Sequence, residues 1–225
     1  MSPYVRRPRT DGPALGIAVL VVAATAAIAH SGTVSAPEAW VFHRVNDLPD
    51  ALFRPMWLLQ FAGLLLTPVV PLLVALWFRR WRLAAALALL VPLKLLVERA
   101  LIKQLVDRRR PATSICDRDL SCLHLRGDVP IGTPSFPSGH AVIVWGIVWL
   151  VLPYLPRRWM RGTAIGIGVG VMVARVYLGA HNPLDVVCGA ALGIVVGAGL
   201  NLAFGVPGPD VADAAGTDAR AGVSP

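Results

Sequence analysis

Charge is scarce in this chain. Of its 225 residues 15% are Asp, Glu, Lys or Arg, against about 25% in a typical soluble domain, while 56% are hydrophobic. With a mean hydropathy of +0.63, that shortage excludes an ordinary soluble globular domain. Cysteine is scarce as well. Three cysteines and no metal-ligand spacing exclude both a disulfide-built scaffold and a zinc module. Acidic residues number 13 against 21 basic ones, leaving a net charge of +8. The arginines are spread along the borders of apolar runs, so contact with anionic lipid headgroups is a simpler account of them than nucleic acid.

What the chain has in quantity is apolar length. Crossing the hydrocarbon core of a bilayer takes about 20 residues of helix, with a range of roughly 17 to 25. Six runs are candidates: 14–30, 56–78, 83–102, 140–155, 162–180 and 184–204, the fourth and fifth being short or interrupted. The expected fold is therefore all-α, a polytopic membrane protein with about six transmembrane helices. Arg6, Arg7 and Arg9 precede the first run, Arg79, Arg80 and Arg82 separate the second from the third, and Arg157, Arg158 and Arg161 separate the fourth from the fifth. Basic short loops mark the cytoplasmic face. Arg108, Arg109, Arg110, Arg118 and Arg126 fall opposite, in a longer loop over about 104–139 where function would explain the charge.

This divides the chain into a cytoplasmic segment 1–13, a six-helix unit 14–204 and a cytoplasmic tail 205–225 with little to bury, read as disordered. The first run also has the features of a cleaved signal peptide, ending near Val34-Ser35-Ala36. Cleavage would leave the remaining topology unchanged. Cys116 and Cys122 share the outer loop, where a small disulfide and two separate thiols fit equally well, and Cys188 packs in an apolar run.

On this topology the ends of the third and fifth runs and the starts of the fourth and sixth meet on the outer face. The unusual polar residues sit at those four ends: Lys103 and Arg110-Pro111, then Pro-Ser-Gly-His at 137–140, then Arg175, then His181 and Asp185. Lys103 and Arg110 are seven residues apart, two helical turns, and share a face if the helix persists. Ser138 is a natural N-cap, and Gly139 lets backbone N–H groups approach a ligand, so this helix start is an anion site. Asn182 reads as a second N-cap with Pro183 at the first helical position, which places Asp185 in the first turn, within reach of His181. His181 so oriented suits a nucleophile and an unpaired His140 suits a general acid. Lys103, Arg110 and Arg175 would neutralise phosphoryl oxygens without any metal or cofactor. Arg175 alone could be a snorkelling charge and Asp185 alone a helix-terminal one, but neither explanation covers all four ends.

These three blocks, KQLVDRRRP, PSGH and RVYLGAHNPLD, resemble the type 2 phosphatidic acid phosphatase (PAP2) superfamily, which includes membrane lipid phosphatases and vanadium haloperoxidases. The resemblance implies a PAP2-type helical bundle in which Lys103, Arg110 and Arg175 bind phosphate with Ser138 and Gly139 assisting. His140 would be the general acid, His181 the nucleophile and Asp185 its partner. It also implies a lipid phosphate substrate such as polyprenyl diphosphate, phosphatidylglycerol phosphate or phosphatidic acid, and the outward-facing site ranks polyprenyl diphosphate first. The family often has Ser immediately before the third-block Arg, and here that position is Ala174. A lipid phosphotransferase using the same site and a non-catalytic membrane scaffold are the alternatives; six spans argue against a haloperoxidase. The oligomeric state is not legible.

Three further expectations follow from spacing. Gly162, Gly166, Gly170 and Ala174 in the fifth run, and Asp185, Gly189, Gly193 and Gly197 in the sixth, recur every four residues. Such stripes predict that these two helices pack backbone to backbone. Lys94 and Glu98, one turn apart in the middle of the third run, predict an interior ion pair that orients the helix, the favoured reading, or charges that extend polarity below the site. About 13 residues from Gly162 to Arg175 rise roughly 20 Å, short of the approximately 30 Å core, which sets Arg175 slightly below the outer headgroups. There it would meet a phosphate whose lipid tail stays in the bilayer.

Overall fold

The computed structural model describes residues 4–5, 8–98 and 106–207. Its helices are α1 (Pro8–Ala29), α2 (Ala36–Asn46), α3 (Phe53–Leu59), α4 (Val69–Trp77), α5 (Trp81–Val97), α6 (Gly139–Val151), α7 (Arg158–Tyr177) and α8 (Pro183–Phe204). Strand structure among the described residues is one antiparallel pair, Tyr4–Val5 against Val206–Pro207. The all-α expectation holds. The tail was expected to be disordered from 205, yet its first residues pair with the chain's start; 208–225 lie outside the described residues.

The second apolar run is not one helix. α3 passes into a 3-10 turn, Gln60–Gly63, the backbone is extended at Leu64, and α4 starts only after Pro68. Proline disfavours helical backbone in the residue before it, here Thr67, and cannot donate its own N–H. The break has a consequence for the site. A Cβ on Gly63 would lie 2.7 Å from both the Cβ and the carbonyl oxygen of His140, so glycine alone lets this turn pack against the start of α6.

α8 is the central element. α1 lies along one side of it, with Ala29, Cys188 and Leu192 in one buried cluster. The Trp149 indole of α6 also donates to the Asp11 carboxylate of α1 at 3.0 Å. α6 lies along another side of α8. A Cβ on Gly189 would sit 2.5 Å from the Ser138 carbonyl oxygen, one on Gly193 2.5 Å from that of Val142, and one on Gly197 2.8 Å from the Trp149 Cβ. This corrects the expected pairing of the two glycine stripes. The stripe on α8 packs against α6, not against α7. On α7, Gly162 and Gly166 face open space, and a Cβ on Gly170 would lie 2.6 Å from a methyl of Leu59 in α3. Four-residue spacing specifies a close approach but not the partner, which topology decides.

Outside this core the usual distribution of apolar side chains is inverted. Trp77 is 84% exposed, Leu66 76% and Leu20 70%, with Phe78, Leu73 and Trp159 also on the surface, while Lys94, Glu98, Arg108, Arg175 and Asp185 are buried. An apolar surface of this extent needs an apolar cover. By length and composition, two helices among the described residues suffice to cross a membrane, Thr10–Ala29 and Pro183–Phe204, and Gly139–Tyr154 is a shorter apolar helix.

Gly193→Leu should lower the unfolding midpoint in detergent, because the added side chain meets α6 backbone that has no rotamer to yield; overpacking of this kind costs about 2 kcal/mol or more. An unchanged Tm would contradict the α6–α8 contact.

Candidate active site

Four of the polar residues singled out in the sequence, Arg110, His140, Arg175 and His181, line one cavity of about 380 Å³ together with Gln60, Glu98 and Gly139. His140 is in the first turn of α6 and Arg175 in the last turn of α7. His181 lies in the short connection before α8 and Asp185 in that helix's first turn. Lys103 lies outside the described residues.

Each group is held by a specific local device. Arg110 precedes a single helical turn, Pro111–Ser114, and donates from Nη1 to the Ala180 carbonyl at 2.6 Å and from Nε to the Thr133 hydroxyl at 2.9 Å. Burial draws its guanidinium below the ordinary arginine value, and the Asp185 charge opposes that shift. Arg175 donates to the side-chain oxygen of Gln60, presented by the turn that the broken second run creates. At the start of α8, Asn182 stands at the N-cap position and Asp185 in the first turn, as the sequence suggests, and the Asn182 N–H donates back to Asp185 Oδ2 at 2.9 Å, the reciprocal bond of a capping box. The same oxygen lies 3.5 Å from His181 Nδ1.

The PSGH block opens α6, as expected. Ser138 stands at the N-cap position of α6, but its hydroxyl makes no capping bond; it is buried without a hydrogen-bond partner among the described residues. Its backbone N–H donates to the Asp185 carbonyl at 2.9 Å, which ties the start of α6 to the start of α8. Gly139 is small for a reason on its other side as well. A Cβ there would lie 3.1 Å from Lys94 Nζ and 3.4 Å from Glu98 Oε2. The expected Lys94–Glu98 ion pair forms at 2.6 Å with both side chains buried, directly beneath Gly139. Glu98 also lines the cavity.

Two arginines of the outer loop have roles that the sequence reading missed. Arg126 donates to the carbonyls of Asn46, Tyr177 and Leu48 and to Asp50, and its guanidinium stacks 4.2 Å over the Tyr177 ring. It is a clamp between the ends of α2 and α7. Arg108 is fully buried. It makes a two-pronged bond with Glu38 at 3.0 and 2.5 Å and reaches Asp185 Oδ1 at 3.3 Å. Glu38 is 70 residues away in sequence, so no spacing could have pointed to the pair. Buried arginines imply carboxylate or carbonyl partners, and that is the signal available in principle. Cys116 and Cys122 form a disulfide within the same loop.

This geometry already resembles a phosphate cage, with two guanidinium groups, a helix start and two histidines around one cavity. The PAP2 superfamily profile matches residues 79–206, more than half of the chain and every described member of that cage except Gln60.

The chain belongs to the PAP2 superfamily.

The enzyme class expected from the sequence, a PAP2-type phosphatase, is thus the one that family membership supports. An undecaprenyl-diphosphatase of Sulfolobus acidocaldarius is 48% identical over 60 residues, 26% of this chain and 28% of that protein. A putative undecaprenyl-diphosphatase of Escherichia coli K12, YbjG, is 29% identical over 161 residues, 69% of this chain and 76% of that protein. The crystal structure of Aquifex aeolicus LpxE superposes with a TM-score of 0.61 at 23% identity, covering 71% of this chain and 92% of that one, and it shares the PAP2 fold.

If the two guanidinium groups form the anion cage, Arg110→Leu and Arg175→Leu should each weaken inhibition by inorganic phosphate about tenfold or more, the worth of one charge-assisted hydrogen bond. Arg109→Leu, whose side chain is half exposed, should leave inhibition unchanged. Equal effects in all three variants would contradict this site.

Proposed function

We propose that this PAP2-superfamily chain is an integral membrane lipid phosphatase that hydrolyses a lipid phosphomonoester or diphosphate through a phosphohistidine on His181. The observation that carries the reading is the convergence of His140, His181, Arg110 and Arg175 on one cavity with the Asp185 carboxylate behind His181. In the first step Nε2 of His181 attacks phosphorus in line with the ester oxygen, while Nδ1–H points to Asp185. The P–O bond breaks, and His140 supplies the proton to the departing oxygen. In the second step His140, now neutral, takes a proton from water as that water attacks the phosphohistidine, releasing phosphate and restoring both histidines. Arg110, Arg175 and Lys103 would neutralise the equatorial oxygens, with the Ser138–Gly139 backbone N–H groups assisting; side chains supply all the charge this reaction requires.

The exposed apolar belt supports a bilayer setting, and six passes are the topology that the runs and arginine borders favour. The packing of α1 along α8 and the Trp149–Asp11 bond support a first span that is retained. The Cys116–Cys122 disulfide supports an oxidising, extracytoplasmic location for the loop and hence for the site. Polyprenyl diphosphate is the first-ranked substrate, ahead of phosphatidylglycerol phosphate and phosphatidic acid. The outward-facing site and the names of two relatives, an undecaprenyl-diphosphatase and a putative undecaprenyl-diphosphatase, support that order.

The test is phosphate release by purified protein in detergent with excess EDTA, on those three lipids and a soluble phosphate ester. Release should persist in EDTA, favour the polyprenyl diphosphate and fall at least about a thousandfold in His181→Ala. Release that requires added metal, or that survives the substitution, would overturn the mechanism.

A further inference from the structure

Behind His181 lies a cluster whose charges do not cancel. Arg108 is in contact with two carboxylates at once: Glu38 at 3.0 and 2.5 Å and Asp185 at 3.3 Å. It also donates from Nη2 to the Thr33 carbonyl at 3.1 Å. Glu38 reaches across from α2 and accepts the Leu184 N–H of α8 at 2.9 Å. Arg108 and Asp185 are fully buried and Glu38 is 7% exposed, so these charges act on one another with little water between them.

A lone arginine against Asp185 would neutralise the carboxylate that faces His181. The imidazole would then gain nothing from that carboxylate when it becomes positive. A second carboxylate changes the sum: one guanidinium and two carboxylates leave one negative charge for His181. Bidentate pairing turns Arg108 mainly toward Glu38, with short contacts there and a longer one to Asp185.

We infer that Glu38 is a positioning residue for the reaction, one that occupies and neutralises Arg108 so that Asp185 keeps its charge for His181. The catalytic meaning rests on the nucleophile proposed above; the charge relation does not. Other charged or titratable groups share the cavity with His181: Glu98 from α5, Arg110 and Asp128 from the loop, His140 from α6 and Arg175 from α7. All are unchanged in the variants below, so differences report on Glu38 and Arg108.

The experiment is a pH titration of the His181 imidazole by NMR in histidine-labelled protein in detergent, the signal assigned by its loss in His181→Gln. Glu38→Gln leaves no net charge in the cluster and should lower the titration midpoint by about half a pH unit or more. Arg108→Gln leaves two carboxylates and should raise it. The double variant Glu38→Gln/Arg108→Gln restores one net negative charge and should return close to wild type. A structural role alone would not give opposite signs in the single variants and recovery in the double. An unchanged midpoint in Glu38→Gln, or a double variant no closer to wild type, overturns the inference. If Glu38→Gln does not fold, the double variant decides: a midpoint close to wild type supports the inference, and a displaced one overturns it.

The acid limb of kcat/KM should follow the same order, moving to lower pH in Glu38→Gln. A wild type that releases no phosphate, with the variants showing these titration shifts, would overturn the proposed function and leave the charge relation standing. An active wild type without the shifts would do the reverse.

Discussion

Asp185 holds the site together. Its carbonyl accepts the Ser138 N–H, one carboxylate oxygen accepts the Asn182 N–H and faces His181, and the other faces Arg108. Three segments are joined by this one buried residue: the start of α6, the outer loop at Arg108, and the His181 connection that leads into α8. A carboxylate this deep is tolerable only because its charge is met on each side, and removing any one partner would leave the others with an uncompensated group. The constraint works in both directions. The helices must bring those partners to Asp185, and once they have, the histidine beside it has little freedom.

The close backbone approach of α6 to α8 is what makes that meeting possible. Glycines at 189, 193 and 197 remove the side chains that would hold the helices apart, and Gly63 and Gly139 do the same for the turn above and the ion pair below His140. Dispersion between closely packed backbones and a few interior polar bonds are the forces available where lipid is as apolar as leucine. Rigid glycine contacts at the base and a polar cluster at the top thus serve one end, a cavity whose charged lining is set before substrate arrives.

Much of this was legible in the sequence because the features are local. The Asn182 N-cap with Asp185 in the first turn, the i,i+4 pair Lys94–Glu98 and the apolar runs all lie within one or a few helical turns, where spacing dictates geometry. The three motif blocks name His140, Arg110, Arg175 and His181, and the structure brings these four to one cavity. Features that depend on long-range contact were not legible. No pattern links Glu38 to Arg108 or Gln60 to Arg175, and the glycine stripe on α8 announces a close neighbour without saying whether it is α6 or α7. The break in the second run was not read, although Pro68 lies inside it, and nothing in the spacing told that the break would deliver Gln60 to the site.

The central claim is that His181 carries the phosphoryl group. The most direct measurement is to mix the protein with a lipid substrate labelled in its terminal phosphate, quench within the first turnover and map the label. The account predicts an acid-labile, base-stable phosphoramidate on the peptide containing His181, in the wild type and in a His140→Ala variant, where loss of the acid of the first step and the base of the second slows turnover. Turnover without any protein-bound label in either form, or label on a residue other than His181, would contradict it.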